Sequence, residues 1–343
     1  MDDSQRGGAP SNLLSQCKRE NINYIVPTAE VVVSTSSSGA NTISSIDVEG
    51  QCDLNSICIV PSGISLHVTS SLNVGALIIR GSLEWTDDTQ ISSSTYICAG
   101  YIAVEGNGIW NMTISQHDRN AWIYLKDNGA VHSSLRSRAF GGVIGNFNDY
   151  PIINIRGRKL ARTWSLLSQP LQSGDTTMTL LHNPDLMGWK VGDRIAVAPT
   201  KDRSEGSGAE FYIQSISSDG TTIGLSDISP DDFDAEFIPS TKEGIKPALK
   251  SAEVVNLSRS IVITGDDFNH IPCENNLPEV IPGEQTSSLG CRCASFRSQC
   301  TMGLHTSQMF GGESRIEYTR IEKCGQRGEE KDVIDCFSCY EKK

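Results

Sequence analysis

A chain that cleaves polysaccharide needs two carboxylates about 5–10 Å apart across a cleft. The acids Glu253, Asp266, Asp267 and Glu313 fall near the ends of strand-like stretches, where such a groove could form. With 41 acidic residues in the chain, choosing two is close to a guess, and solvated surface is the default reading for each. Positive charge is more concentrated. Arg156, Arg158, Lys159 and Arg162 form a basic run, the best place in the sequence to meet an anionic sugar. Alternation along a strand would also point Arg156 and Arg158 simply at solvent. Calcium comes into question only at the acidic loop Asp231, Asp232, Asp234 and Glu236, where the ligand order of an EF-hand is missing. No other cofactor is expected. His67 alternates with apolar neighbours and reads as an outward-facing strand residue. Cys291-Arg-Cys293 and Cys336-Phe-Ser-Cys339 are poor zinc half-sites. The chain has no Gly-x-Ser-x-Gly elbow, no Gly-x-Gly-x-x-Gly turn and no P-loop.

The elements that must position these residues repeat. Ala76-Leu-Ile-Ile-Arg-Gly-Ser-Leu-Glu-Trp85 is a short strand, a glycine, then a second short strand. Tyr101–Trp110, Ala121–Val131 and Pro151–Leu160 follow the same plan, and Ala252–Gly265 returns to it. The glycines at 81, 106, 129 and 157 are spaced by roughly 25 residues, the period of a solenoid. A period-2 strand buries one face, and stacked coils bury a column that no single coil could bury. Between Trp164 and Leu225 the pattern changes to alternating strands joined by Gly/Asp/Ser turns, an antiparallel signal. The expected fold is all-β: a right-handed parallel β-helix, or solenoid, interrupted by a small antiparallel β-barrel insertion. Its expected parts are a disordered or fragmentary lead-in (1–29), first coils (30–160), the inserted barrel (161–247), continuing coils with a Cys-rich loop (248–328) and a divergent tail (329–343).

Composition narrows the partners. A net charge of −12 argues against nucleic acid or an anionic membrane. No stretch approaches the roughly 20 apolar residues of a membrane span, and no signal peptide is visible at the start. Eleven cysteines nevertheless suit disulfides in an oxidising compartment. Cys52, Cys58, Cys273, Cys291, Cys293 and Cys300 are the candidates, and the pairing stays open. Asn111-Met-Thr and Asn256-Leu-Ser are N-glycosylation sequons. The two lines reconcile if the sequence begins downstream of the true N-terminus. The chain is therefore expected outside the cell or at its surface, with an extracellular polysaccharide or protein as partner.

Leu77–Trp85, Ile102–Gly108, Trp164–Leu167, Trp189–Val197 and Ala252–Gly265 together resemble a G8 domain, over about Cys52 to Gly265. This module occurs in cell-migration-inducing and transmembrane hyaluronidase-like proteins and in fibrocystin-like extracellular proteins. The resemblance implies a β-helix with an inserted barrel, in a module that binds a glycan or protein or acts as a structural spacer. Arg315–Gly328 resembles the continuation of the hyaluronidase-like members, so an N-terminal fragment of a polysaccharide-depolymerising enzyme is the alternative. Their following His-rich coil is absent from Glu329–Lys343. No catalytic residue is carried over, and the chain is not expected to be active as it stands.

Overall fold

A computed structural model describes residues 15–17, 26–35, 39–200, 208–218, 220–238, 248–266, 269–272, 299–302, 304–309, 311–324 and 326–327. Contacts divide the chain into two compact units, one on Lys159–Arg259 and the other on Leu14–Arg158 with the chain from Ser260 onward. The fold is all-β.

The larger unit holds three parallel sheets, an arrangement consistent with a β-helix. The first sheet runs through Ala29–Val32, Ser56–Val60, Ala76–Ile79, Tyr101–Glu105, Ala139–Val143 and His305–Gln308. The second runs through Thr42–Ser44, Ser65–His67, Ser82–Thr86, Ile109–Ile114, Ile152–Gly157 and Glu313–Glu317. The third runs through Leu72–Asn73, Ser94–Ala99, Asn120–Leu125, Ile261–Gly265 and Thr319–Ile321. Successive passes of the chain visit the sheets in this order. Parallel, in-register pairing places equivalent side chains over one another. Leu72, Ile97, Ile123, Ile263 and Ile321 stack along the third sheet, and Leu66, Leu83, Trp110 and Ile153 along the second. All but Ile321 are buried in one continuous core. Each such side chain is worth about 1.5–3 kcal/mol of burial.

In the first pass a short helix, Ser45–Glu49, stands where later passes have a third-sheet strand. Ser44 and Asp47 form a capping box, and Val48 seals into the core. A second apolar cluster lies on the outer side of the first sheet. There Ala130 and Leu135, from the long connection after Leu125, cover Ile59, Ala76, Ile78, Tyr101 and Ala103.

Two corners differ from expectation. The strand read after Gly129 does not form: Gly129 sits at φ 78° inside that connection, and the next strand is Ala139–Val143. Glu253–Asn256 does not rejoin the parallel sheets but pairs antiparallel with Trp164–Leu166 and Arg194–Val197, so the antiparallel unit reaches Arg259. Its alternating pattern fits either sheet, and only its partners decide.

The smaller unit is a curled antiparallel sheet in the order Trp164–Leu166, Glu253–Asn256, Arg194–Val197, Ala209–Ile216, Thr222–Leu225 and Thr177–Thr179. Its two end strands meet at a bridge between Leu167 and Leu180, flanked by Leu181 N–H to Leu166 O at 2.8 Å. Leu167, Phe211, Ile223, Phe233 and Val254 fill its core.

Gly81 is required by close approach. A Cβ built there would sit 2.1 Å from the carbonyl oxygen of Ile64, which is backbone and cannot yield. Gly63 instead has φ 85° and open space around it. Gly81→Ala should therefore cost about 3 kcal/mol, against about 1 kcal/mol for Gly63→Ala, measured by urea denaturation. Equal losses would show that the corner is not packed as described.

Candidate functional site

A polar recess lies at the corner between the first and second sheets. Strand Ala76–Ile79 ends just before Arg80, and strand Tyr101–Glu105 ends on Glu105. The register Ile79 to Val104 brings those two residues side by side. Arg80 Nε donates to Glu105 Oε2 at 2.8 Å, and His132 Nε2 lies 3.0 Å from Glu105 Oε1. His132 comes from the long connection, whose reversal is closed by His132 N–H to Arg136 O and Arg136 N–H to His132 O. Its Nδ1 accepts the N–H groups of Ser134 and Leu135, each at 3.1 Å. The ring proton is thereby assigned to Nε2, which donates to Glu105. Tyr101 packs edge-on to the imidazole at 5.2 Å.

The far wall is the turn 144–150. Asp149 Oδ2 accepts the N–H groups of Gly145 at 2.7 Å and Asn146 at 2.8 Å, and Asn107 Oδ1 accepts that of Tyr150 at 3.0 Å. The recess encloses about 510 Å³ and is also lined by Ser62, Ser133 and Ser134. Beside it the same turn holds Phe147 fully exposed and Tyr150 half exposed.

The His132 hydrogen bond, then the hydrogen bond and charge of Arg80, hold the Glu105 carboxyl below the ordinary 4.5. A general acid for glycoside cleavage needs the opposite shift. Glu105 thus accepts hydrogen bonds from both neighbours.

A second polar cluster lies at the end of the third sheet. Lys126, almost fully buried, donates to Asn73 Oδ1 at 2.9 Å. Asp266 accepts from Tyr124 Oη and from the Asp127 N–H, both at 2.7 Å, and the Arg138 guanidinium donates to its carbonyl. Burial pushes the Lys126 ammonium down to about 7, against the opposing pull of Asp266. These bonds tie the strands together.

The residues singled out by sequence fall as follows. Arg156 is exposed, 3.6 Å from Glu317 and over the Tyr318 ring. Arg158 Nη1 reaches the carbonyl of His117 at 3.4 Å. Lys159 is exposed and belongs to the smaller unit. Arg162, also there, stacks on Trp164 at 4.8 Å and donates to His182 Nε2 at 2.9 Å. The basic run is therefore divided between the two units. His67 is half-buried.

Of the four acids, Glu253 is exposed in the smaller unit and Asp266 is buried in the cluster above, while Asp267 lies outside the described residues. Glu313 opens a second-sheet strand and pairs with Arg315 at 2.5 Å. Asp266 and Glu313 stand on different sheets and form no facing pair. In the acidic loop, Asp232 accepts the Ser173 N–H, Asp234 pairs with Lys250 and Glu236 lies 3.9 Å from the same lysine. No group of three or more metal-binding side chains occurs among the described residues.

Cys52 pairs with Cys58, and Cys17 pairs with Cys98, a bridge the sequence did not announce. Cys98 sits mid-strand among apolar residues and reads as core. Cys273, Cys291 and Cys293 lie outside the described residues, and Cys300 lies in strand Gln299–Met302. Asn111 is half-buried, bonding Glu84 and Asn154 in the adjoining strands. Asn256 corrects its sequon reading. It is fully buried, donating to Asp193 Oδ2 at 2.8 Å and accepting the Ser258 N–H at 2.9 Å. A glycan there is incompatible with the folded unit.

No protein-family model matches the chain. Fibrocystin-L of Mus musculus is similar to it, 26% identical over 190 residues. The match covers 51% of this chain and 4% of that relative, so the chain spans a small fraction of its length.

Two pH tests follow. Glu105 titrates below its unfolded value, so its stabilisation is present above about pH 4.5 and is lost as pH falls through the folded pKa. The stability difference between wild type and Glu105→Gln should therefore shrink on acidification below pH 4.5, and a constant difference would contradict the bonding described. Lys126 acts in the same direction in a higher pH window. Between about 7 and 10.5 the unfolded chain binds a proton that the fold refuses, so stability rises with pH there. Wild type should gain on Lys126→Met from pH 7 to pH 10; parallel curves would show an ordinary, charged lysine.

Proposed function

We propose that this chain is part of an extracellular protein and forms a G8-type module, a right-handed β-helix interrupted by a small β-barrel, that binds a glycan and does not cleave one. The observation that carries the reading is the placement of the antiparallel unit. It enters between a second-sheet strand ending at Gly157 and a third-sheet strand starting at Ile261, where the next pass would otherwise continue. That interruption, at the place the G8 resemblance implies, is supported by the similarity to Fibrocystin-L. The end-strand bridge Leu167–Leu180 supports the barrel. Two disulfides within the larger unit support an oxidising compartment. The polar recess, with its ionised Glu105, supports binding over hydrolysis.

The test is to express the chain through a secretory route, map its disulfides without reduction, and incubate it with a polysaccharide panel. Cys17–Cys98 and Cys52–Cys58 should be recovered, and at least one glycan should be retained at unchanged chain length. Reduced thiols at Cys17, Cys98, Cys52 or Cys58 in the native protein, or shortening of any polysaccharide, would overturn the reading. The two bridges should also differ in weight. By loop length, Cys17–Cys98, which spans 81 positions, contributes about 4.5 kcal/mol. Cys52–Cys58 spans 6 and contributes about 2.4 kcal/mol. Urea midpoints of Cys17→Ser and Cys52→Ser should fall in that order.

A further inference from the structure

The recess beside Glu105 has the features of a sugar subsite, and its charge states which sugar. Its ionisable lining is one guanidinium, Arg80, and two carboxylates, Glu105 and Asp149. His132 adds no positive charge in the tautomer its bonds fix, because Nδ1 already accepts two N–H groups. The Arg80 guanidinium faces Glu105 and is largely neutralised by it. A uronate or sulfate entering here would meet an excess of negative charge, on a chain of net charge −12.

Hydroxyl groups fit better. Ser133, Ser134 and Asn146 are exposed on the lining and offer donors and acceptors in both senses, which is what a sugar hydroxyl requires. Glu105 adds an anchored acceptor. The turn that walls the recess supplies the apolar half of the match. Phe147 stands fully out of the surface, on a turn pinned at one side by Asp149 and at the other by Asn107. A single exposed apolar side chain is ordinary. An aromatic ring carried on a fixed turn whose neighbouring residues Gly145, Asn146 and Asp149 line a polar recess is a different observation. Its electron-rich face suits the C–H face of a pyranose, and the pinned turn spares the ordering cost of binding. A volume of about 510 Å³ falls in the range of small-ligand sites.

We propose that this recess binds an uncharged saccharide, with Phe147 as stacking platform and Glu105, Ser133, Ser134 and Asn146 as hydrogen-bonding partners, and that it discriminates against uronate-containing glycans. The proposal rests on the glycan-binding reading above and narrows it to one site and one class of sugar.

The test is calorimetric titration of the whole chain with three probes of equal length: a mannotetraose, a tetramer of N-acetylglucosamine and a tetragalacturonate. One of the neutral probes should bind at least tenfold more tightly than the uronate. Phe147→Ala, which removes a side chain that supports nothing in the fold, should weaken that binding at least tenfold. Arg156→Glu combined with Arg158→Glu should leave it unchanged. Preferential binding of the tetragalacturonate, lost in the double arginine variant, would overturn this site while leaving the glycan-binding reading standing. Neutral binding that is indifferent to Phe147→Ala would also overturn it. If no saccharide binds and only a protein ligand is found, both the site and the wider reading fall.

Discussion

The larger unit depends on one constraint, that each pass of the chain sits directly over the last at the spacing of a parallel ladder, about 4.8 Å. At that spacing a side chain pointing inward has a neighbour above and below, and the core is a stack of near-identical contacts. Leucine, isoleucine and tryptophan fill it because they are wide enough to meet across the interior. Where the chain turns from the first sheet to the second, backbone passes so close to backbone that Gly81 has no room for a Cβ. The same stacking makes the recess, because it sets the ends of two successive strands beside each other and so brings Arg80 to Glu105.

Much of this was legible. Period-2 patterning with glycines at intervals of roughly 25 residues marks the strands of the parallel sheets, and most antiparallel strands of the smaller unit announce themselves through their turns. Strand Ala139–Val143 was not legible, because Gly141 and Gly142 are poor strand formers. Here the fold demands the first of them: a Cβ on Gly141 would strike the Ser307 carbonyl. Glu253–Asn256 was assigned to the wrong neighbours, since alternation reports that a residue is in a strand and never which strand it pairs with.

The site was less legible for a related reason. Basic residues close in sequence drew attention, yet Arg156 and Arg162 belong to different units. Arg80 and Glu105 are 25 positions apart and matter more. Opposite charges separated by one repeat were the available signal, and reading it requires laying the coils over one another first. His132 carried no signal at all. It reaches Glu105 from a connection whose length breaks the repeat, and that connection also buries the outer face of the first sheet.

The seam at Ser260 sets the order of events during synthesis. Ser260 Oγ donates to the carbonyl of Ile114 and accepts the N–H of Arg158, while its own carbonyl accepts the N–H of Ala121. Strand Asn120–Leu125 therefore waits for a partner that leaves the ribosome 146 positions after Ile114. At about 5–20 residues per second that is roughly 7–30 s. During this interval the third sheet ends in an unpaired edge, and Trp122 and Ile123 have only half of their neighbours. The nascent chain passes through a stage at which this edge is open to capture by another strand, and the length of that stage is set by the hundred residues in between.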